Sequence, residues 1–294
     1  MRASNTAKDA ELSMIVPSLD GGATRRTAGI QSNETLDFAR VPDRAVLWLS
    51  GITASYSGQT ILKNVSCSFR AQAITAILGP SGCGKSTLLR VLNRTLELIP
   101  GARIETGTVL FQGENIYAKP VHAATVRQHI GLIHQRPVPF PMTILNDVLF
   151  GARYHRLLDG MAPREYARIY LEQAGLWHEV KDRLDDRAER LSGGQQQRLC
   201  LARTLANQPQ VILMDEPCSS LDPAATQQIE ELIADLKQRY TIIVVTHNLA
   251  QARRIADEAV FMFAGEIVER GGAGKMFSGP DSKLVRDFVS GRIG

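Results

Sequence analysis

Gly79-Pro80-Ser81-Gly82-Cys83-Gly84-Lys85-Ser86-Thr87 decides the reading of this chain. It fits G-x-x-x-x-G-K-[ST], the P-loop pattern, in which glycines let backbone N–H groups curl around phosphate oxygens and a lysine adds positive charge. The flanks suit it. Ala73 to Leu78 is a short apolar run with β-branched residues, and Lys85 to Leu92 has helical apolar spacing. Strand, glycine loop and helix, in that order, are the setting the pattern requires.

A second glycine-rich segment, Leu191-Ser192-Gly193-Gly194-Gln195, precedes another amphipathic stretch, Gln196 to Ala206. Ser192 suits a helix N-cap. Leu199, Ala202 and Ala206 fall on one helical face. The partial positive charge at such a helix start favours a terminal phosphate. Two anion cradles in one chain need a reason, and the best is that the second closes over a nucleotide held by another copy.

Working outward, apolar density rises from Val46, and short runs such as Asn64 to Phe69, Thr108 to Phe111 and Ile130 to Ile133 read as strands. Val211 to Met214 and Thr241 to Val245 are unbroken apolar runs, as expected of strands covered on both faces. Helical patterns alternate with them, Ala225 to Lys237 among them. The alternation predicts an α/β fold with a mostly parallel core sheet. Val260 to Phe263 and Glu266 to Glu269, separated by Ala264-Gly265, predict a late hairpin. Between Thr143 and Arg190 the strand signal disappears, and Ile144 to Phe150 and Arg164 to Ala174 read as helices. This predicts a helical insertion over about 143–190, entered through a loop stiffened by Pro137, Pro139 and Pro141. Residues 1–44 lack periodicity and read as a flexible extension ahead of one domain over 45–294; Met14 is an alternative start.

Composition narrows the class. The chain has 294 residues and a net charge of +4, with basic and acidic side chains interspersed. No Lys/Arg block suggests a nucleic-acid arm. Cys67, Cys83, Cys200 and Cys218 include no CxxC pair, and the plain reading is reduced thiols in a cytosolic protein. Cys83 lies within the glycine loop, where a small residue fits. No apolar run approaches the ~20 residues needed to cross a bilayer, and the first residues lack a secretory apolar stretch. Any membrane role must come through docking to something else.

The rest of the chemistry lies at strand ends. Val211 to Met214 leads into Asp215-Glu216-Pro217. A hydrophobic strand ending in two acids is the second half of a P-loop site: Asp215 beside Ser86 to hold Mg²⁺, and Glu216 to orient the attacking water. His247 follows Thr241 to Val245 in the same way and can reach a γ-phosphate or the water. Gln135 follows the strand at Ile130, where an amide can contact Mg²⁺ or water; on its chemistry alone a plain loop residue is the better reading. Tyr56 lies upstream of the P-loop, and stacking on adenine and packing on the sheet are equally good readings.

Taken together, Tyr56, Gly79 to Thr87, Gln135, Leu191 to Gln195, Asp215-Glu216, Ser219 to Asp222 and His247 resemble the nucleotide-binding subunit of ABC transporters. Order and approximate spacing match over residues 46–294. The resemblance implies a P-loop NTPase fold with an antiparallel β subdomain and a helical insertion. It also implies a head-to-tail dimer with two ATP molecules at the interface. Gly79, Pro80, Ser81, Gly82, Cys83, Gly84, Lys85, Ser86 and Thr87 of one copy would face Ser192, Gly193, Gly194 and Gln195 of the other, with Asp222 linking the sites. Glu216, His247 and Gln135 would be catalytic, and Ser86, Gln135 and Asp215 would serve the metal.

Longer runs narrow the likeness. Asn93 to Arg103, Pro139 to Ile144, Leu191 to Cys200, Asp215 to Pro223 and Phe288 to Gly294 are similar to the phosphate importer ATPase (PstB) subfamily. The implied partners are a second copy, two membrane permease subunits and, indirectly, a periplasmic phosphate-binding protein, with the chain peripheral on the cytoplasmic face of the membrane. His134 and Val138 depart from the subfamily, which commonly carries Phe and Asn there. No chemistry in the chain names the cargo. An importer ATPase for a phosphonate or an amino acid, or a mainly regulatory phosphate-signalling ATPase, therefore stays open.

Overall fold

The computed structural model describes residues 45–293; the extension read over 1–44 lies outside the described residues. The elements run β1 (Ala45–Tyr56), β2 (Gln59–Arg70), β3 (Ile74–Leu78), α1 (Lys85–Leu92), β4 (Ala102–Phe111), β5 (Glu114–Asn115), α2 (Ala123–His129) and β6 (Ile130–Ile133). Next come α3 (Ile144–Tyr154), α4 (Pro163–Gln173), α5 (Trp177–Val180), α6 (Gly193–Leu205), β7 (Val211–Asp215), α7 (Pro223–Leu236) and β8 (Thr241–Val245). The chain closes with α8 (Leu249–Ile255), β9 (Glu258–Phe263), β10 (Glu266–Gly272), α9 (Ala273–Ser278) and α10 (Lys283–Val289).

Two sheets organise these elements. The larger has order β10-β9-β3-β8-β7-β6. Its neighbours from β9 to β6 run parallel, and β10 pairs antiparallel with β9 through the late hairpin. The smaller, order β2-β1-β4-β5, is antiparallel throughout. This is the α/β architecture with a mostly parallel core sheet and an antiparallel β subdomain.

The unbroken apolar strands follow from burial on both faces. Along β7 and β8, Ile212, Met214, Ile242 and Val244 enter the core shared with the helices of 144–206, while Val211, Leu213, Ile243 and Val245 enter the core beneath α1 and the antiparallel sheet. Side chains alternate sides with period two, so a strand covered twice must be apolar at every position. A third cluster packs Ala76, Leu78 and Phe261 against Met276, Phe277 and Phe288 of the C-terminal helices.

The helical segment after β6 is anchored to α6. Tyr166 of α4 is only 2% exposed, and its hydroxyl donates to the Ala206 carbonyl at 2.7 Å. That carbonyl ends α6, where helix geometry supplies no intrahelical donor. Asp147 of α3 is fully buried and accepts from the Arg203 guanidinium of α6 and from the Phe140 N–H at 2.6 Å. Arg203 also donates to the Val138 carbonyl and lies 4.1 Å from the Phe140 ring centre. The proline-rich loop is thus fastened to both helices. Among the described residues, no helix is long and apolar enough to cross a membrane.

Tyr166→Phe removes one buried donor and leaves the Ala206 carbonyl unpaired, which should cost about 1–2 kcal/mol. Urea unfolding should show a lower midpoint with an unchanged slope; an unchanged midpoint would show that this bond contributes nothing.

Candidate nucleotide site

The carboxyl ends of β3, β7 and β8 meet at one edge of the large sheet. Residue Ile77 aligns with Val245, and Asp215 aligns with the same Val245 from the other side. The chain emerging from β3 is the glycine loop, from β7 the acids, and from β8 Thr246-His247. Ligands in open α/β sheets bind at such strand ends.

The loop's shape depends on glycine at two positions in particular. Gly79 has φ +143°, and a Cβ there would lie 2.1 Å from the Met262 carbonyl oxygen. Gly84 has φ +106° and would meet Leu62 at 2.8 Å. Gly84 also caps α1 without any side-chain acceptor, and the first turn of α1 carries no acid. The N–H groups of that turn have no intrahelical acceptor and carry the positive end of the helix dipole. Lys85 is 7% exposed, and its ammonium donates to the Gly79 and Pro80 carbonyls at 2.8 Å each. A cation is therefore held at the mouth of an uncapped helix. The thiol of Cys83 is buried here, and burial pushes its pKa up despite the Lys85 charge. A buried thiol held protonated is a weak nucleophile.

Ser86 and Asp215 meet directly: the Ser86 hydroxyl donates to Asp215 Oδ1 at 3.1 Å. Burial pushes the Asp215 pKa up, the Ser86 bond opposes that, and the neighbouring Glu216 charge adds to it. Glu216 itself has φ +48°, a left-handed backbone that costs energy for a residue with a side chain. Its N–H is held by the Val245 carbonyl at 2.8 Å. The turn aims the carboxylate at two partners. Gln135 Nε2 donates to Glu216 Oε2 at 2.9 Å, and His247 Nδ1 lies 3.1 Å from the same oxygen. Three separate strand ends thus converge on one carboxylate oxygen.

Tyr56, at the end of β1, reaches α1: its hydroxyl lies 3.4 Å from Thr87 Oγ1, and Arg90 donates to it at 3.4 Å. A cleft of about 530 Å³ is lined by Tyr56, Ile61, Ser81, Gly82, Gly84 to Thr87, Gln135, Glu216 and His247. Ile61 is the wall residue that sequence reasoning missed. It sits on β2, and only the pairing of β1 with β2, which sets Tyr56 opposite Gln59, brings it to the same cleft.

Ser192, Gly193, Gly194, Gln195 and Asp222 line no part of this cleft. Ser192 caps α6 in a capping box: Gln195 N–H donates to Ser192 Oγ at 3.4 Å, and Ser192 N–H donates to Gln195 Oε1 at 2.9 Å. A Cβ on Gly193 would meet nothing within 4 Å, whereas one on Gly194 would lie 3.2 Å from Ala225. Asp222 caps α7, accepting from Ala225 N–H at 2.9 Å. The second glycine turn and Asp222 are therefore neighbours on an outer face.

Comparison with known proteins agrees with this geometry. The ABC transporter family matches residues 62–219. The phosphate import ATP-binding protein PstB of Desulfitobacterium hafniense (strain Y51) is 45% identical over 268 residues, spanning 91% of this chain and 100% of that protein. A solved bacterial Atm1-family ABC exporter with ATP bound has a TM-score of 0.72 at 25% identity, covering 86% of this chain and 43% of that one. The chain thus spans less than half of the exporter's length. With its P-loop, paired strand-end acids and second glycine turn in the family's order, the chain belongs to the ABC transporter ATPases, in the branch that includes PstB.

Proposed function

We propose that this chain binds and hydrolyses ATP to drive import of inorganic phosphate, acting as a pair of copies docked on the cytoplasmic face of membrane permease subunits. One observation carries the ATPase reading: Gln135, Glu216 and His247 converge beside the P-loop, on the wall of the cleft it shares with Tyr56. The cargo is inferred from the 45% identity to PstB.

In this reading the P-loop N–H groups and Lys85 hold the β- and γ-phosphates, and Tyr56 receives the adenine. Ser86 and Asp215 offer a hydroxyl and a carboxylate oxygen 3.1 Å apart, with the Gln135 amide nearby. Among the described residues no group of three or more His, Cys, Asp or Glu forms a metal cage. That donor set suits Mg²⁺, which keeps several waters and uses one or two carboxylates plus substrate phosphates. When bound, Mg²⁺ supplies charge that offsets the phosphate oxygens. Glu216 accepts a proton from, and aligns, the water that attacks the γ-phosphorus; the bond to the bridging oxygen breaks, giving ADP and inorganic phosphate. Gln135 and His247 hold the carboxylate for that task.

The second glycine turn faces outward, so it serves a nucleotide on another copy. Gly193 and Gly194 N–H groups at the dipole's positive end suit a γ-phosphate. Residues 45–294 form the ATPase domain, and the insertion over 143–190 carries motion outward. Val138, Phe150 and Tyr154 are 61%, 53% and 72% exposed around the proline-rich loop. This apolar surface beside Gln135 is where the permease subunits dock.

Glu216→Gln should keep ATP binding but slow hydrolysis at least about 100-fold and accumulate an ATP-bound dimer on size-exclusion chromatography; near-normal turnover would remove Glu216 from the chemistry. Ser192→Arg should retain nucleotide binding to the single chain but abolish turnover in the reconstituted complex; full activity would refute the role across the dimer. Phosphate uptake by cells lacking the gene should return with the wild-type chain and not with Lys85→Ala. Recovery of phosphonate or amino-acid uptake instead of phosphate would replace the cargo.

A further inference from the structure

Glu179 of α5 belongs to none of the motifs read from the sequence, yet it holds the second glycine turn. Its Oε2 accepts from Gln195 Nε2 at 2.8 Å, and its Oε1 accepts from Arg198 NH1 at 2.6 Å. Arg198 is 8% exposed and donates through the same nitrogen to the Gly175 carbonyl at 2.7 Å, which ties the pair to the loop before α5. The Gln195 and Arg198 bonds hold the Glu179 carboxyl below its usual range against the opposing effect of burial.

A carboxylate can only accept, so its bond to Gln195 fixes which end of that amide faces it. The Nε2 end points to Glu179, and Oε1 is left facing the Ser192 N–H, where it accepts at 2.9 Å. Ser192 Oγ accepts from the Gln195 N–H, so its own hydrogen is free to donate outward. With Ser192 N–H and Gln195 N–H both satisfied internally, the donors left at the turn are those of Gly193, Gly194 and the Ser192 hydroxyl. Were the amide reversed, Nε2 would face Ser192 N–H, donor against donor, and the cap would open. Arg198 also offsets the Glu179 charge, so the carboxylate can stand beside an anion cradle without repelling its ligand.

We infer that Glu179 is a positioning residue for phosphate recognition across the dimer: it locks the Gln195 amide so that the Ser192–Gly194 turn presents its donors to the nucleotide of the second copy. This rests on the proposed function and goes beyond it by assigning the turn's geometry to a residue outside it. The P-loop of the same chain is untouched by Glu179, so binding of ATP to a single chain and pairing of two chains should separate.

The test is ATP-driven pairing in the Glu216→Gln background, measured by sedimentation over a range of protein concentrations, together with ATP affinity and thermal midpoint of the single chain. Glu179→Ala should raise the concentration needed for half-pairing about tenfold, the size of one lost charge-assisted bond, with single-chain ATP affinity unchanged. Glu179→Gln, whose amide oxygen can still accept from Gln195, should recover part of that loss. Pairing of Glu179→Ala at the parent's concentration would overturn the inference. So would a parallel fall in single-chain ATP affinity and thermal midpoint, which marks general unfolding. If Glu216→Gln itself never pairs with ATP, the proposed function fails and this inference goes with it; a parent that pairs beside a Glu179→Ala variant that pairs equally well sinks the inference alone.

Discussion

The in-register ending of β3, β7 and β8 is the constraint on which the site depends. Parallel strands covered on both faces cannot slip by one residue without moving each apolar side chain to the opposite core. Because Met214 is locked opposite Val244, and Ile77 opposite Val245, the residues that follow must emerge together at one edge. The cores above and below the sheet therefore set where Gly79, Asp215 and His247 lie. Chemistry at the edge inherits its precision from burial tens of residues away in sequence.

Two helices start at glycine-rich turns, and they treat their first turns in opposite ways. Helix α1 begins at Gly84 with no capping side chain, and Lys85 folds back over the loop carbonyls. A glycine in place of a capping side chain costs roughly a few tenths of a kcal/mol, a small cost that a bound anion would offset. Helix α6 instead carries a complete capping box, braced from outside by Glu179. The first arrangement leaves many open donors at the wall of a cleft, which suits a deeply held ligand. The second keeps a formed turn with only a few donors exposed, which suits a surface that meets its ligand late and on another molecule. Glu216 shows the local expense of such placement: its left-handed backbone is held by the Val245 carbonyl while Gln135 and His247 bind its carboxylate.

Much of this was legible in the sequence, for physical reasons that differ by element. Val211 to Met214 and Thr241 to Val245 announced buried parallel strands because two covered faces demand unbroken apolar runs. The meeting of Ser86 with Asp215 followed from a glycine loop and an acid each ending such a strand. By contrast, β1 was marked only by apolar density rising from Val46: its pairing with β2 and β4 is interrupted by register shifts, which blur a period-two pattern. Helices α2, α8, α9 and α10 have six or seven residues each, too few turns for a periodicity to show. Ile61 and Glu179 were illegible for a third reason. Their partners lie on other elements, and no local pattern encodes a contact made by topology. The backbone of Glu216 was hidden too, since glutamate rarely adopts a positive φ.

The segment from Gln135 to Phe140 is tied at both ends, and this bears on how the cleft communicates with the rest of the chain. At one end Gln135 binds Glu216. At the other, the Phe140 N–H and the Val138 carbonyl are held by Asp147 and Arg203, an ion pair whose acid is fully buried. Removing one member of a buried pair typically costs about 3–5 kcal/mol, because the other is left uncompensated. The loop is consequently stiffer than its exposed aromatic rim suggests, with Pro137 and Pro139 restricting the backbone between the two ties. Arg203 lies on α6, the helix that begins at Ser192. The Glu216 carboxylate, the exposed apolar surface and the second glycine turn are therefore joined by contiguous contacts. A displacement at Gln135 large enough to release Glu216 must strain the Asp147–Arg203 tie, because α6 is buried along most of its length and held at its end by Tyr166, and so resists moving with the loop.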